Sequence, residues 1–351
     1  PASTNDQPSY DDRAIALSYG SRRILDALGL WKKIQFDAEA IKKIHVSDQG
    51  HFGFARLVHE EEGVEALGYV VTARDLGKTL LPTLTGCQDV QLFCPASLVE
   101  FDVSDETDDV SVVIEEAGKQ QTLKAKLLVA ADGGQSLVRQ QLGIEVRDVA
   151  YGQSAIVSNV TTQKAHDNVA YERFTQSGPV ALLPMSENRN ALVYTVENDA
   201  LDAAMQLSDE QFLEQLQQRF GYRLGRFTRI GQRFAYELRL KEVAEHIRPR
   251  IALIGNAAHT VHPIAGQGFN LGIRDVAVLA EVILDARRDE LDFGSLEVLT
   301  RYAEWRRKDH RSVLMATDSM VRLFTNPLSI VKTARNLGIL AADILPGARH
   351  W

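Results

Sequence analysis

Two hydrophobic rhythms run along the chain. Some stretches alternate apolar and polar residues or stay apolar for a handful of positions, as strands do. Others space apolar residues three and four apart, as helices do. Ser18 to about Leu28 carries the helical spacing and is closed by Gly29. Ile41–Val58 alternates in part, through Ile44, Val46, Phe52, Phe54 and Leu57, and its Asp48-Gln49-Gly50 turn predicts a hairpin. Ala66–Val71 is an apolar run feeding a helix from Thr72 to about Leu84. Val90–Phe93, Ala96–Val103, Val110–Glu115 and Gln121–Ala125 read as short strands between acidic turns, which predicts a β-meander.

Leu127–Ala131 is a buried-strand pattern that runs into Asp132-Gly133-Gly134, and a helix follows with Ser136 and Arg139 in its first turns. From Tyr151 to about Ile247 the pattern is strand-rich: Ala155–Val160, Val169–Phe174, Val180–Pro184, Ala191–Val196 and Phe234–Leu240. Ser208 with Gln211 three residues on is a capping-box start for a helix ending near Gly221. This region has no glycine-rich phosphate loop, which makes it the candidate substrate domain. Helices are expected from about Phe269 to Arg288, over Leu296–Thr317, and from Asn326-Pro327 onward. The apolar face of the last (Leu328, Val331, Leu337, Ile339, Leu340, Ile344) suits core or a subunit contact, or else a lipid-borne substrate, a membrane surface or a partner protein.

Ile251–Asp275 holds the densest chemistry. A short apolar strand, Ile251–Ile254, meets Gly255 and Asn256; His259, His262 and Pro263 follow, then Gly266-Gln267-Gly268 at the start of a helical pattern. Glycines ahead of a helix let backbone N–H groups approach a ligand, and the helix N-terminus offers unpaired donors with partial positive charge. Such a site suits a phosphate, or a ring edge that becomes anionic. His259 and His262 are candidate bases, or structural histidines bonded to backbone.

Gly255, Ala257, Ala258, His259, Pro263, Gly266, Gln267, Gly268, Asn270, Gly272 and Asp275 match the pattern G-D-A-A-H-x-x-x-P-x-x-G-Q-G-x-N-x-G-x-x-D. The stretch closely resembles the second flavin-contacting motif of the class A, FAD-dependent aromatic hydroxylases. Asn256 stands where most members have Asp, which keeps one carbonyl acceptor for the ribityl hydroxyls and removes a charge. Asp132–Arg139 resembles the family's D-G-x-x-S-x-V-R motif, assigned to the FAD side and to nicotinamide binding; Asp132 as a plain helix cap is the alternative. Arg13 lies in a D-x-R-A-I-A-L segment whose Arg sits near the cofactor in the family, or else pairs with Asp11 or Asp12. The Gly-Asn-Ala-Ala variant, His45-Val46-Ser47-Asp48 with His51, and Glu172-Arg173-Phe174-Thr175 single out a resemblance to the ubiquinone-biosynthesis group, in particular its 2-polyprenyl-6-methoxyphenol hydroxylases.

The resemblance covers nearly the whole chain. It implies a mixed α/β chain with an FAD/NAD(P)-binding three-layer ββα fold (1–40, 67–150, 247–295), an inserted antiparallel-sheet substrate domain (41–66, 151–246) and C-terminal helices (296–351). It implies cofactor contacts at Arg13, Arg74, Asp132, Gly133, Gly255, Asn256, Pro263, Gly266, Gln267, Gly268, Phe269 and Asn270. Pro263 would also face the substrate, with Phe174, Leu183 and Pro184 lining the ring; Arg74 has a surface charge pair with Asp75 as its alternative, and Phe174 plain core. No residue is assigned a metal.

The implied reaction is hydroxylation of a polyprenylated phenol to the 1,4-benzoquinol, using NAD(P)H and O2, with O2 adding at flavin C4a. A sister hydroxylase of another ring position and a non-catalytic assembly subunit in a pathway complex are the alternatives. A dinucleotide-binding chain should open with a G-x-G-x-x-G unit of ~30 residues, and none precedes Arg13. Weak or absent FAD binding, and an inactive chain, are therefore expected of the sequence as it stands.

Composition narrows the partners. Lys plus Arg is 39 against 47 Asp plus Glu, a net charge of −8 without a basic block, which argues against nucleic acid. Cys87 and Cys94 have no metal-ligand spacing and read as reduced thiols in a cytoplasmic setting. No apolar run approaches about 18 residues, so membrane contact is at most peripheral, at the inner membrane.

Overall fold

The computed structural model describes residues 13–50, 54–103, 108–260 and 266–325, with side chains as far as residue 315. The third C-terminal helix expected from Asn326 lies outside the described residues, as do Asp11, Asp12, His51, His262 and Pro263.

The chain opens with β1 (Ala14–Ser18), α1 (Tyr19–Ala27), the single turn α2 (Trp31–Ile34) and β2 (Glu39–Ile41). Ser18 caps α1 by accepting the Ser21 N–H. A hairpin, β3 (Lys43–Asp48) with β4 (Phe54–Val58), precedes β5 (Gly68–Thr72) and α3 (Ala73–Thr85). β5 lies between β1 and β2, and its buried Tyr69 and Val71 pack with Leu17, Trp31, Ile34 and Leu76.

The meander forms from β6 (Ser97–Val103), β7 (Val110–Glu116) and β8 (Lys119–Ala125). Val90–Phe93, expected as a strand, is irregular, with Val90 and Leu92 exposed. It has apolar residues but pairs with none of the described strands, and pairing rather than propensity decides a strand. β9 (Leu128–Ala130) and the short α4 (Leu137–Gln141) follow.

The strand-rich middle comprises β10 (Val146–Thr162), β11 (Val169–Thr175), β12 (Gly178–Met185) and β13 (Arg189–Glu197). After α5 (Leu201–Gln206) and α6 (Asp209–Phe220) come β14 (Phe227–Ile230) and β15 (Phe234–Val243). The capping box between Ser208 and Gln211 is formed. One sheet runs β18-β15-β10-β13-β12-β11-β3-β4, with β14 on β10; the pairing of β11 with β3 is parallel. It takes its last strand from the segment that closes the chain: β16 (Ile247–Arg248), β17 (Ile251–Leu253), β18 (His259–Thr260), α7 (Gln267–Arg288) and α8 (Leu296–Thr325).

Strand alternation gives this sheet two apolar faces. The outer face sends Ile156, Leu182, Leu192 and Tyr194 against Phe212, Leu216 and Phe220 of α6. Each such buried side chain contributes about 1.5–3 kcal/mol. The inner face sends Ala170, Leu183, Met185 and Ala191 against Ala14 of β1 and Val70 of β5. β17 pairs in parallel with β9, and behind it α7 and α8 bury Leu279, Val282, Val298 and Tyr302. Among the described residues no helix is long and apolar enough to cross a membrane.

Candidate functional site: a glycine-lined cavity at the start of α7

β17 is followed by Gly255, whose φ of 56° turns the chain into one 3₁₀ turn and then β18. Gly266, at φ 60°, caps α7 in the left-handed region without a side-chain hydrogen bond. The first-turn N–H groups of α7 therefore have no partner within the helix. Gly266, Gly268 and Phe269 border a cavity of about 720 Å³. Gly255, Asn256 and Gly133 supply its backbone-rich side, and Ala14, Ile15, Ala16, Leu25, Leu28, Leu30, Leu76, Leu80, Ile273 and Val276 its apolar walls.

Close approach explains two of the glycines. A Cβ on Gly266 would meet the Ala16 Cβ at 2.9 Å, and one on Gly272 would meet the Gly255 Cα at 3.3 Å. Asn270 fixes the same junction: its Oδ1 accepts the Ser18 N–H and the Ser21 hydroxyl, both at 2.7 Å. Its Nδ2 donates to the Ala16 and Gly266 carbonyls, both at 2.8 Å. Asn270 thus ties β1 to α7 with its whole amide, leaving the cavity to its neighbours.

A second clamp joins the two glycine turns. Buried Arg139 donates to the Ala257 carbonyl (2.9 Å) and to the Gly134 carbonyl (2.8 Å). Asp132 accepts the Leu137 and Val138 N–H groups at 2.8 and 3.3 Å, so its carboxylate caps the α4 turn.

Beneath the Gly255 turn, Asp275 of α7 is a buried hub. Its Oδ2 accepts the Gly255 N–H (2.9 Å) and His259 Nε2–H (2.8 Å); its Oδ1 accepts His310 Nε2–H (2.7 Å) and Arg306 Nε–H (2.6 Å). Burial alone would raise this carboxyl, yet the histidine hydrogen bonds hold it well below the usual carboxylate range. A carboxylate only accepts, so both histidines carry their proton on Nε2. His310 Nδ1 is then the acceptor for His246 Nε2–H at 3.1 Å. Burial pushes both His310 and His246 down, the latter to about 4, so this pair stays neutral.

His259, Asp275 and His310 are metal-ligand residue types with ligand atoms within 4.8 Å of one another. Each of those atoms is already committed to the network, and a guanidinium shares the carboxylate. The cluster is a clamp between α7, α8 and the Gly255 turn.

Other residues expected at the site are placed as follows. Arg13 donates to the Tyr236 hydroxyl at 3.1 Å, bridging the start of β1 to β15. Arg74 stands in the first turn of α3 beside Asp75; Leu76 and Leu80 of the same helix line the cavity, and Arg74 itself is not among its lining residues. Gln267 opens α7. Leu183 packs on the inner face of the sheet, which Phe174 shares by alternation with Ala170, whereas Pro184 turns by alternation to the outer face. Sequence reasoning missed the Arg139 clamp, Arg306 and His310. A lone Arg or His in a helix has no local pattern, although Arg139 falls within a motif read for other reasons.

The cavity fits FAD on the chemistry of its donors: an uncapped helix N-terminus and glycine backbone for the electron-rich edge of a flat ring, and apolar walls for its faces. The sequence profile of the FAD binding domain family matches residues 3–317. Ubiquinone hydroxylase UbiL of Rhodospirillum rubrum is 39% identical over 334 residues, 95% of this chain and 76% of that protein. The 3-demethoxyubiquinol 3-hydroxylase of Escherichia coli is 31% identical over 345 residues, 98% of this chain and 86% of that protein. The p-nitrophenol 4-monooxygenase PnpA of Pseudomonas putida shares the fold, with a TM-score of 0.79 at 19% identity over 98% of this chain and 86% of that one. The chain therefore belongs to the FAD-binding, class A flavin-dependent aromatic monooxygenases, in the group of the ubiquinone hydroxylases, with FAD as cofactor and NAD(P)H as reductant.

Proposed function

We propose that the protein hydroxylates the aromatic ring of a polyprenylated phenol in ubiquinone biosynthesis, converting 2-polyprenyl-6-methoxyphenol to the 1,4-benzoquinol. The observation that carries this reading is the pairing of a glycine-lined cavity with the apolar inner face of the large sheet, separated by β1: Ala14 both borders the cavity and packs on that face. Bound FAD supplies the redox chemistry, accepting a hydride from NAD(P)H and activating O2. The chain's own residues bind, orient and exclude water. First-turn N–H groups of α7 at Gly268 and Phe269 stabilise negative charge at the ring edge. Asn256, exposed at the cavity, offers a carbonyl acceptor to the ribityl chain. The sheet provides a dry apolar wall for the phenol and its prenyl tail.

A second reading, hydroxylation at another ring position, is favoured by the Escherichia coli relative, whose name assigns it the 3 position. Both readings are tested together by incubating the FAD-loaded protein with NAD(P)H, O2 and a short-chain 2-prenyl-6-methoxyphenol, and analysing products by mass spectrometry. One added oxygen at the position para to the phenol hydroxyl is expected. Addition elsewhere on the ring selects the second reading, and FAD-loaded protein that adds no oxygen to the phenol rejects both.

A further inference from the structure

The register of the large sheet places one row of side chains across its inner face. From β15 to β4 the paired residues are Phe234, Val157, Val193, Ala181, Glu172, Val46 and Ala55. Six are apolar and the fifth is a carboxylic acid. The neighbouring row, Ala191, Leu183, Ala170 and Ile44, packs against Ala14 and Val70, so Glu172 stands next to the junction with β1. Its Oε1 is buried without a hydrogen-bond partner. The carboxyl lies deep in the molecule, while the residue as a whole keeps some accessible surface.

That arrangement costs stability: an unpaired buried carboxyl forfeits its water hydrogen bonds without replacement. Asp275 shows how the same molecule treats a structural carboxylate, surrounding it with four donors. Among the described residues no cation pulls Glu172 down, and burial pushes it up to about 7. A group held between its two protonation states in an apolar setting is poised to meet a donor that arrives with a ligand.

We propose that Glu172 is the substrate-orienting residue, accepting the hydrogen bond of the substrate's phenol hydroxyl and so fixing which edge of the ring turns toward the flavin. The assignment rests on the phenol reading above. A polyprenylated phenol is a large apolar body with few polar atoms, which matches a single acceptor in an apolar row. A carboxylate accepting the O–H also pushes electron density into the ring, which favours attack on an electrophilic oxygen.

The test compares wild type, Glu172→Gln and Glu172→Ala, each loaded with FAD. Affinity for 2-prenyl-6-methoxyphenol and for its O-methyl ether, which lacks the donor, is read from the flavin absorbance change. Glu172→Ala is expected to weaken phenol binding about 10- to 100-fold while leaving the ether within about twofold. The near-neutral pH dependence of phenol kcat/KM disappears in Glu172→Gln, an isosteric variant that keeps the fold. Equal phenol binding in Glu172→Ala and wild type, or equal losses for phenol and ether, overturns the assignment alone. Wild-type protein that holds FAD but responds to no phenol overturns the functional reading and the assignment with it.

Discussion

At the scale of single residues, Asn270 shows how one motif position can hold together the chain around the cavity. Its amide satisfies Ser18 N–H, Ser21 hydroxyl, and the Ala16 and Gly266 carbonyls at once. Replacing it with Ala strands those groups in a buried setting, and a loss of about 2–4 kcal/mol is expected. Urea unfolding measures this, and the same variant should bind FAD more weakly because Gly266 loses its tether. An unchanged unfolding midpoint would contradict the role. Gly266→Ala has a different cause, a left-handed backbone plus contact with Ala16, and should cost about 1–3 kcal/mol. The motif made Asn270 visible in the sequence. Its partners were not, because Ser18 lies 252 residues away. Asp132 was read with both a cofactor role and a capping role open, and its hydrogen bonds show the cap.

At the scale of elements, local chemistry was legible and pairing was not. The capping box of α6, the turns of the hairpin and the meander, and the helix after Gly266 are each written in adjacent residues. The length of β10, from Val146 to Thr162, is not, because it depends on successive partners, β15 and β13, that are distant in sequence. The failure at Val90–Phe93 has the same origin. The Asp275 hub was also invisible, since it is made by four side chains spread from residue 259 to 310. Asp275→Asn keeps the shape of the hub but leaves Arg306 buried beside a neutral amide. Breaking one side of a buried ion pair costs about 3–5 kcal/mol, so this variant should unfold well below wild type in a thermal melt. His310→Asn, which retains a donor, should lose less. Equal losses would mean that the guanidinium is not the group the carboxylate serves.

At the scale of the whole molecule, the sheet and the cofactor half oppose each other in their response to pH. His246 is held neutral down to about 4, while the unfolded chain takes up its proton near the ordinary value of 6.5. Between those limits the unfolded state binds more protons, so stability falls as pH drops from 6.5 toward 4, by about 3 kcal/mol. His310 acts in the same direction, and Asp275 adds a further loss below the ordinary carboxylate range. Glu172 carries the opposite sign. Its folded value of about 7 lies above the ordinary 4.5, so its contribution is fully present below 4.5 and is lost as pH rises through 7, again by about 3 kcal/mol. Between pH 4.5 and 6.5 the two contributions run in opposite directions and largely offset, so the melting temperature should vary little there, fall below pH 4.5, and lose a further small amount between 6.5 and 7. Glu172→Gln cannot ionise and should uncover a melting temperature that rises steadily from pH 4.5 to 6.5. His246→Asn removes most of the opposing contribution and should tilt the profile the other way, toward a fall as pH rises to about 7. Melting curves of the three proteins from pH 4.5 to 8.5 read this directly. A Glu172→Gln profile that matches wild type from pH 4.5 to 7 would show that the carboxyl on the sheet already has a partner in the folded protein, and so has no vacancy for a phenol to fill.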